Sequence, residues 1–171
     1  MIEDGTKELL PQLLSRWEEA APDAESMAHS LASVAVTLRA VYLMHQAAHW
    51  QTKGPSFVGD HKLFGDLYDA TLDEIDMVSE RAVGLGDPLL VCPLKTTQLA
   101  LELLEAFGRE CDVPDADKLV QLSLEAERGL LQVIASAMKG DMTDGAQNLL
   151  QGVADKHETH VYLLQQRLKK R

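Results

Sequence analysis

Two histidines and the acids that follow them are the strongest candidates for chemistry in this sequence. His49 and His61 flank a Lys53-Gly54-Pro55 break, and an acid-rich helical pattern follows the second histidine. At about 100° per residue, three acids share the face of His61 on that helix: Asp69, Asp76 and Glu80. Imidazole and carboxylate ligands together suit iron or zinc better than calcium or magnesium.

The spacing of these residues predicts a site shared by two chains. Asp76 follows His61 by 15 residues, which is about 22 Å along a helix, so the two side chains cannot bind one metal ion within one chain. Two antiparallel copies of this helix across a two-fold axis would bring His61 of one chain to Asp76 and Glu80 of the other, forming two identical sites. His49, at the end of the preceding helix, would supply a second imidazole.

Less specific interpretations of the same residues stay open. Acids on a helix face are usually solvated, and this holds for Asp69, Asp73 and Asp76 taken one at a time. His45 and His157 lie on apolar stripes and are expected to be core histidines. The chain contains no Glu-x-x-His motif, which disfavours a di-iron site of that type inside a single bundle.

The periodicity of the apolar residues predicts an all-α protein. Four long helices are expected over 25–51, 58–85, 115–138 and 144–168, with a short helix over 96–107 and an amphipathic N-terminal helix over 5–20. The connection between the second and third long helices could cross the whole bundle, as in ferritin-like four-helix bundles. We expect an N-terminal extension over 1–24 and one bundle domain over 25–171.

Composition limits the possible partners. A net charge of -11 disfavours general nucleic-acid binding, because phosphate contacts need lysine and arginine. No apolar run approaches the roughly 18 residues of a membrane span, and the acidic start MIEDGTKELL is unlike a secretory signal. Cys92 and Cys111 are expected to be two buried thiols of a cytoplasmic protein.

A long motif resembles the Dps family, the twelve-subunit mini-ferritins. The matching residues stand in register without a gap: His49-Trp50, Lys53-Gly54, Phe57, His61, Leu67-Tyr68, Asp76, Glu80-Arg81 and Leu85-Gly86. The C-terminal stretch ADKHETHVYLLQQRL also resembles the last helix of the family. The resemblance spans roughly residues 27 to 168.

This resemblance implies a cytoplasmic ferroxidase and iron store that forms a dodecameric cage. Iron would bind between two-fold related subunits and be oxidised, preferably by hydrogen peroxide, before ferric mineral collects inside. The implied ligands and metal-site residues are His49, His61, Asp76 and Glu80, with Trp50 beside the site. Family cages admit iron through acidic three-fold pores, for which the candidates are Asp141, Asp144 and Asp155; the alternative is that these are ordinary surface acids.

Gly65 is a departure from the family pattern, because it stands where the family has a bridging Asp. The expected consequence is one good metal site with impaired or altered di-iron chemistry. Asp69, one turn farther on, could compensate through a water or a shifted metal, and a water alone could also fill the space.

Two other functions remain as alternatives to the ferroxidase. One is a cage that holds a single metal, with zinc as a substitute for iron, and oxidises it poorly. The other is a DNA-associated structural Dps, which the acidic N-terminal extension and the very short basic end at 167–171 disfavour.

Overall fold

The computed structural model describes residues 24–169, and in this range it contains helices and no strand. The helices are α1 (Ala24–Gln51), α2 (Phe57–Leu85), a 3-10 turn (Pro88–Val91), α3 (Pro93–Ala106), α4 (Ala116–Ala137) and α5 (Asp144–Leu168). The predicted all-α fold is confirmed, and the predicted helix ends are close to those observed. The 3-10 turn was not predicted, and the predicted helix over 5–20 lies outside the described residues.

Local sequence signals explain where the helices begin and end. Gly54 has a φ of +90° in the break between α1 and α2, a conformation that favours glycine. The carboxylate of Asp115 accepts a hydrogen bond from the backbone N–H of Lys118, and Thr143 caps α5 in the same way through Ala146. Pro88 and Pro93 stand in the first turns of the 3-10 turn and α3, where proline is well tolerated.

Contacts at one end of the bundle establish the topology. The end of α1 meets the start of α2 through His49 and His61. Arg167, at the end of α5, binds Asp60 at the start of α2 and Asp117 at the start of α4. Helices α2 and α4 therefore start at the same end of the bundle, so the connection between them must return along its full length. This is the crossover predicted for a ferritin-like bundle.

The core lies mainly around α1, which packs on α2, α4 and α3, while α4 packs on α5. Phe107, at the end of α3, is buried and lies so close to α4 that a Cβ at Gly129 would be 2.5 Å from its ring. Glycine at this position therefore lets the crossover connection dock on the bundle.

Helix α1 is apolar enough to qualify as a membrane span by length and composition, over Ser26–Gln51. The sequence-based expectation that no segment approaches this length is therefore wrong. In the structure, 72% of the 18-residue apolar window is buried inside the bundle, as in the core helix of a globular protein.

The two cysteines are not buried as expected. Cys92 is half-buried and Cys111 is exposed. Both lie in the crossover connection rather than in the bundle core, and this position explains the difference.

Candidate metal centre

His49 and His61 form a stacked pair at the junction of α1 and α2. Their ring centroids are 3.7 Å apart with an interplanar angle of 22°. Phe57 stacks on His61 with centroids 5.1 Å apart, and Tyr68 meets His49 edge-on at 5.3 Å. These aromatic neighbours restrict both imidazole rings to one orientation.

Reciprocal hydrogen bonds determine which nitrogen of each ring is free. Nδ1 of His49 lies 2.7 Å from the backbone oxygen of His61, and Nδ1 of His61 lies 2.9 Å from that of His49. A carbonyl oxygen can only accept, so each Nδ1 must carry a proton. In the neutral rings both Nε2 atoms then keep a lone pair, and this arrangement is characteristic of metal-binding histidines.

The acids predicted to complete this site lie elsewhere on the surface of the same chain. Asp69, Asp76 and Glu80 are exposed on α2. Asp76 lies about 22 Å along the helix from His61, and Glu80 lies one turn farther. A single chain therefore brings together the two histidines and does not bring them to Asp76 or Glu80. Trp50, beside the pair in sequence, is 70% exposed.

Gly65 lies directly beside the histidine pair, against the ring of His49. A Cβ at this position would lie 3.2 Å from Nδ1 and 3.3 Å from Cε1 of His49. The His49 ring thus packs closely against the backbone of α2, where a side chain at position 65 would begin. A larger residue would require the imidazole to move by a few tenths of an ångström.

The three pore candidates are exposed acids in the single chain. Asp144 lies in the first turn of α5, Asp141 precedes that helix and Asp155 lies in its middle. Whether they meet around a three-fold axis depends on assembly, so their pore role stays a prediction.

A second group of ionisable side chains lies inside the bundle, and the sequence-based reasoning missed it as a unit. Four long helices contribute to this group, which we name the core cluster: His45 from α1, Glu74 from α2, Glu127 from α4, and His157 and His160 from α5. All five residues are buried, and His160 at 7% is the most exposed. His45 and His157 are buried as expected, but their partners are carboxylates rather than only apolar groups.

Glu127 is the centre of the core cluster. Its Oε1 accepts hydrogen bonds from Nε2 of His45 at 2.7 Å and from Nδ1 of His160 at 3.0 Å. Its Oε2 lies 2.5 Å from Nδ1 of His157. The other nitrogen of His157 lies 2.8 Å from Oε2 of Glu74. One carboxylate therefore orients three imidazoles.

Burial and hydrogen bonding determine the charges in this cluster. Burial by itself would raise the pKa of Glu127, but hydrogen bonds from His157, His160 and His45 hold this pKa well below its usual value. Burial by itself would lower the pKa of His157, yet its bonds to Glu127 and Glu74 raise it to about 9. The pKa of His45 is lowered by burial, which outweighs its bond to Glu127. Glu127 is thus anionic, His157 cationic and His45 neutral at pH 7.

The cluster reaches solvent on the α5 side. Nζ of Lys156 lies 3.2 Å from Oε1 of the buried Glu74, and the lysine side chain is 52% exposed. Sequence signals for this cluster existed: His157 and His160 stand one turn apart on α5, and Glu127 interrupts the apolar stripe that continues with Leu130 and Ile134 on α4.

Comparison with known proteins agrees with the fold and with the motif. The model of the family described as ferritin-like domain matches residues 32–171. The nutrient stress-induced DNA-binding protein of Synechococcus sp. is 29% identical over 141 residues, covering 81% of this chain and 76% of that protein. DNA protection during starvation protein 2 of Bacillus anthracis is 29% identical over 123 residues, covering 68% of this chain and 78% of that protein.

A solved structure shows the same fold at low sequence identity. Dps from Microbacterium arborescens, in its high iron form, superposes with a TM-score of 0.72 at 20% identity, covering 88% of this chain and 98% of that chain. Together with the matched family model and the motif around His49 and His61, this similarity shows that the chain belongs to the ferritin family, in its Dps branch.

Proposed function

We propose that this chain is the subunit of a Dps-type mini-ferritin cage that oxidises ferrous iron at sites shared by two subunits and stores the ferric product. The observation that carries the proposal is the stacked pair of His49 and His61, whose reciprocal Nδ1 hydrogen bonds leave both Nε2 lone pairs available. These nitrogens have no other role in the described part of the bundle, and they suit Fe²⁺ as the substrate.

The exposed acids of α2 support a shared site. Asp76 and Glu80 stand one turn apart on the same helix, where like charges repel. A cation brought by the histidine pair of a second chain would remove that repulsion. Because a two-fold axis repeats the contact, each pair of chains would carry two equivalent sites, and six such pairs would form the dodecamer.

The proposed reaction transfers one electron from each of two ferrous ions to one hydrogen peroxide molecule. The O–O bond breaks and two hydroxide ions form, so both reagents of hydroxyl-radical chemistry are consumed. The chain's part is to hold the two ferrous ions close together, and the imidazoles, Asp76 and Glu80 supply the ligands for this. Oxygen could serve as a slower oxidant of the same ions.

Gly65 favours a second candidate function, a cage that binds one metal ion per site and oxidises it slowly. The position that carries a bridging carboxylate in the family pattern carries no side chain here, and the His49 ring packs against it. Zn²⁺, which undergoes no redox chemistry, would be a competent occupant of such a site. Counting the iron ions bound per chain separates the two candidates.

A complementation experiment tests whether the site is shared between chains. His61→Gln and Asp76→Asn are each expected to abolish peroxide-dependent iron oxidation when every chain carries the same change. When the two variants are co-expressed, about half of the chain pairs are mixed, and each mixed pair has one intact site of two, so about a quarter of the wild-type activity should return.

The matched control is Asp66→Asn, since Asp66 is an exposed acid of α2 that is paired with Lys62 on another face. This variant should oxidise iron like the wild type. If the co-expressed variants show no more activity than either variant alone, the inter-subunit site is wrong.

A further inference from the structure

The core cluster is unusual because it places five ionisable side chains where the rest of the bundle is apolar. His45, Glu127 and His157 are fully buried, as is Glu74. Burying charged groups is unfavourable unless they are paired and hydrogen-bonded, and apolar residues of similar size are often at least as stabilising. A purely structural role is therefore a weak explanation for this set of residues.

The hydrogen bonds within the cluster leave one imidazole nitrogen without a hydrogen-bond partner among residues 24–169. Nδ1 of His45 is buried and has no hydrogen-bond partner among residues 24–169, although its Nε2 binds Glu127. A closed structural network would satisfy every buried polar atom. The unpartnered Nδ1 is not the nitrogen that faces Glu127, but it can take up the proton that Nε2 must release before Nε2 binds a metal ion.

The distances suit one metal ion. One nitrogen each of His45 and His160 and one oxygen of Glu127 lie within 4.8 Å of one another. Metal–nitrogen and metal–oxygen bonds of about 2.0–2.2 Å would place tetrahedral ligand atoms about 3.4 Å apart. The two nitrogens now lie 2.7 Å and 3.0 Å from Oε1 of Glu127, so the side chains need to separate by less than about 1 Å.

The chemistry of the donors selects the class of metal. Two imidazoles and a carboxylate favour zinc or ferrous iron over calcium and magnesium, which prefer oxygen ligands alone. The anionic carboxylate of Glu127 favours a cation at the ligand atoms, whereas Glu74 already lies against the cationic His157 and Lys156. Each imidazole can present its nitrogen to the metal by moving its proton to the other ring nitrogen.

We propose that His45, Glu127 and His160 bind one divalent transition-metal ion, zinc or ferrous iron, inside each bundle. His157 and Glu74 are positioning residues, because His157 holds Oε2 of Glu127 and is itself held by Glu74. Such outer contacts orient the ligands of metal sites. The entry path is the side where His160, the most exposed member of the cluster, and the neighbouring Lys156 lie.

This internal site is separate from the histidine pair and does not rest on the function proposed above. His45 stands one turn before His49 on α1, but it faces the core, whereas His49 is half-buried beside His61. The internal ligands come from one chain, so the site should exist in any folded subunit, whatever its assembly.

Metal stoichiometry in a variant without the histidine pair tests the proposal. The His49→Gln/His61→Gln protein is stripped with a chelator, titrated with Zn²⁺ or Co²⁺, and analysed by calorimetry and elemental analysis. One ion per chain is expected. Adding His160→Gln should remove that ion, while His157→Gln should weaken its binding by about 10- to 100-fold.

Ser123→Ala is the matched control, since Ser123 is a buried polar residue of α4 whose hydroxyl has no partner among the described residues. It should bind the metal like the parent protein. A parent double variant that binds no ion, or an unchanged stoichiometry after His160→Gln, would overturn the proposal.

Crystallography of the wild-type protein gives a test that does not depend on variant folding. In crystals soaked in Zn²⁺, anomalous density at the zinc edge should appear within about 2.3 Å of both His45 and Glu127. Zinc density at the histidine pair with none in the core cluster would refute the internal site and leave the inter-subunit proposal intact.

Discussion

Gly65 illustrates how a single residue controls the proposed shared site. The space beside α2 that a side chain would enter is bordered by the His49 ring, 3.2 Å from the position of a Cβ. The residue therefore affects both the number of carboxylate ligands and the placement of an imidazole. These two effects can be separated by two substitutions at the same position.

The Gly65→Asp variant is expected to bind a second iron ion more tightly than the wild type, because the substitution adds a carboxylate next to the histidine pair. The affinity for the second Fe²⁺ should rise by about tenfold or more, and peroxide-dependent oxidation should accelerate. Gly65→Ala, the control, adds only the Cβ that displaces His49 and should gain no second ion. Anaerobic calorimetry and stopped-flow absorbance would measure the two effects, and equal behaviour of both variants would contradict the ligand argument.

Arg167 shows how one residue stabilises the end of the bundle that carries the histidine pair. Its guanidinium donates to both oxygens of Asp60, at 2.6 Å and 2.9 Å, and to Oδ1 of Asp117 at 3.0 Å. Burial alone would raise the pKa of Asp60, but hydrogen bonds from Arg167 and Ser56 bring it below its usual value. Asp60 is buried whereas Asp117 is exposed, so the two contacts should differ in strength.

Asp60→Asn should lower the free energy of unfolding by about 1–2 kcal/mol at pH 7, since it removes a charge-assisted pair. The matched change Asp117→Asn should have an effect below about 0.5 kcal/mol, as for most exposed pairs. Thermal unfolding followed by circular dichroism would measure both. Similar losses in the two variants would show that burial of Asp60 is not the deciding factor.

The pH dependence of the same pair has a definite sign. Because the pKa of Asp60 is lower in the folded state than in the unfolded state, its stabilisation is fully present above about pH 4 and is lost as the pH falls through the folded value. The stability difference between the wild type and Asp60→Asn should therefore shrink steadily below about pH 4. A difference that stays constant down to pH 2 would contradict this assignment.

At the scale of helices, the crossover connection depends on close packing between α3 and α4. The ring of Phe107 occupies the place where a Cβ of Gly129 would lie, with a separation of only 2.5 Å. Aromatic rings in a buried position have little freedom to move. The small residue at 129 is therefore a packing requirement, even though glycine is a poor residue for a helix interior.

Gly129→Ala is expected to destabilise the bundle by about 1–3 kcal/mol, because overpacking outweighs the better helix propensity of alanine. Gly152→Ala provides the control in α5, since a Cβ there meets nothing within 4 Å. That variant should be stabilised by up to about 1 kcal/mol. Melting temperatures would compare them, and a stabilised Gly129→Ala protein would contradict the packing argument.

At the scale of the whole molecule, charge governs the choice of partner. The net charge of -11 opposes binding to a polyanion, although some relatives carry names that refer to DNA. The basic residues nearest the C-terminus are few: Arg167, Lys169, Lys170 and Arg171. The same negative charge, on a cage of the proposed kind, would instead attract cations such as Fe²⁺ to its surface.

The assembled protein should not retain DNA in a gel shift at about 150 mM salt, where phosphate contacts are already weakened. Weak retention at low salt is expected to disappear when Lys169, Lys170 and Arg171 are replaced by Gln. Retention at physiological salt that survives this triple substitution would show that another surface binds DNA.

The helices and the family of this protein could be predicted from its sequence, because the signals for them lie in residues close together in the chain. Apolar periodicity and capping residues such as Asp115 and Thr143 located the four long helices of the bundle. The motif from His49 to Gly86 identified the family. Helical geometry alone also showed that His61 and Asp76 are too far apart to share a metal within one chain.

The core cluster depended on tertiary structure. Periodicity predicts that His45 and His157 are buried, but it does not say which buried polar groups meet, since Glu127 lies 82 residues from His45 and 30 from His157 in sequence. Three helices must pack before the Glu127 carboxylate can accept from three imidazoles, and a fourth, α2, adds Glu74 beside His157. The sequence by itself determined the helices, their buried faces and the family, whereas only the packing of those helices decided that five polar side chains form one hydrogen-bonded cluster. The physical reason is that helix formation depends on neighbouring residues, and ligand geometry depends on residues far apart in the chain.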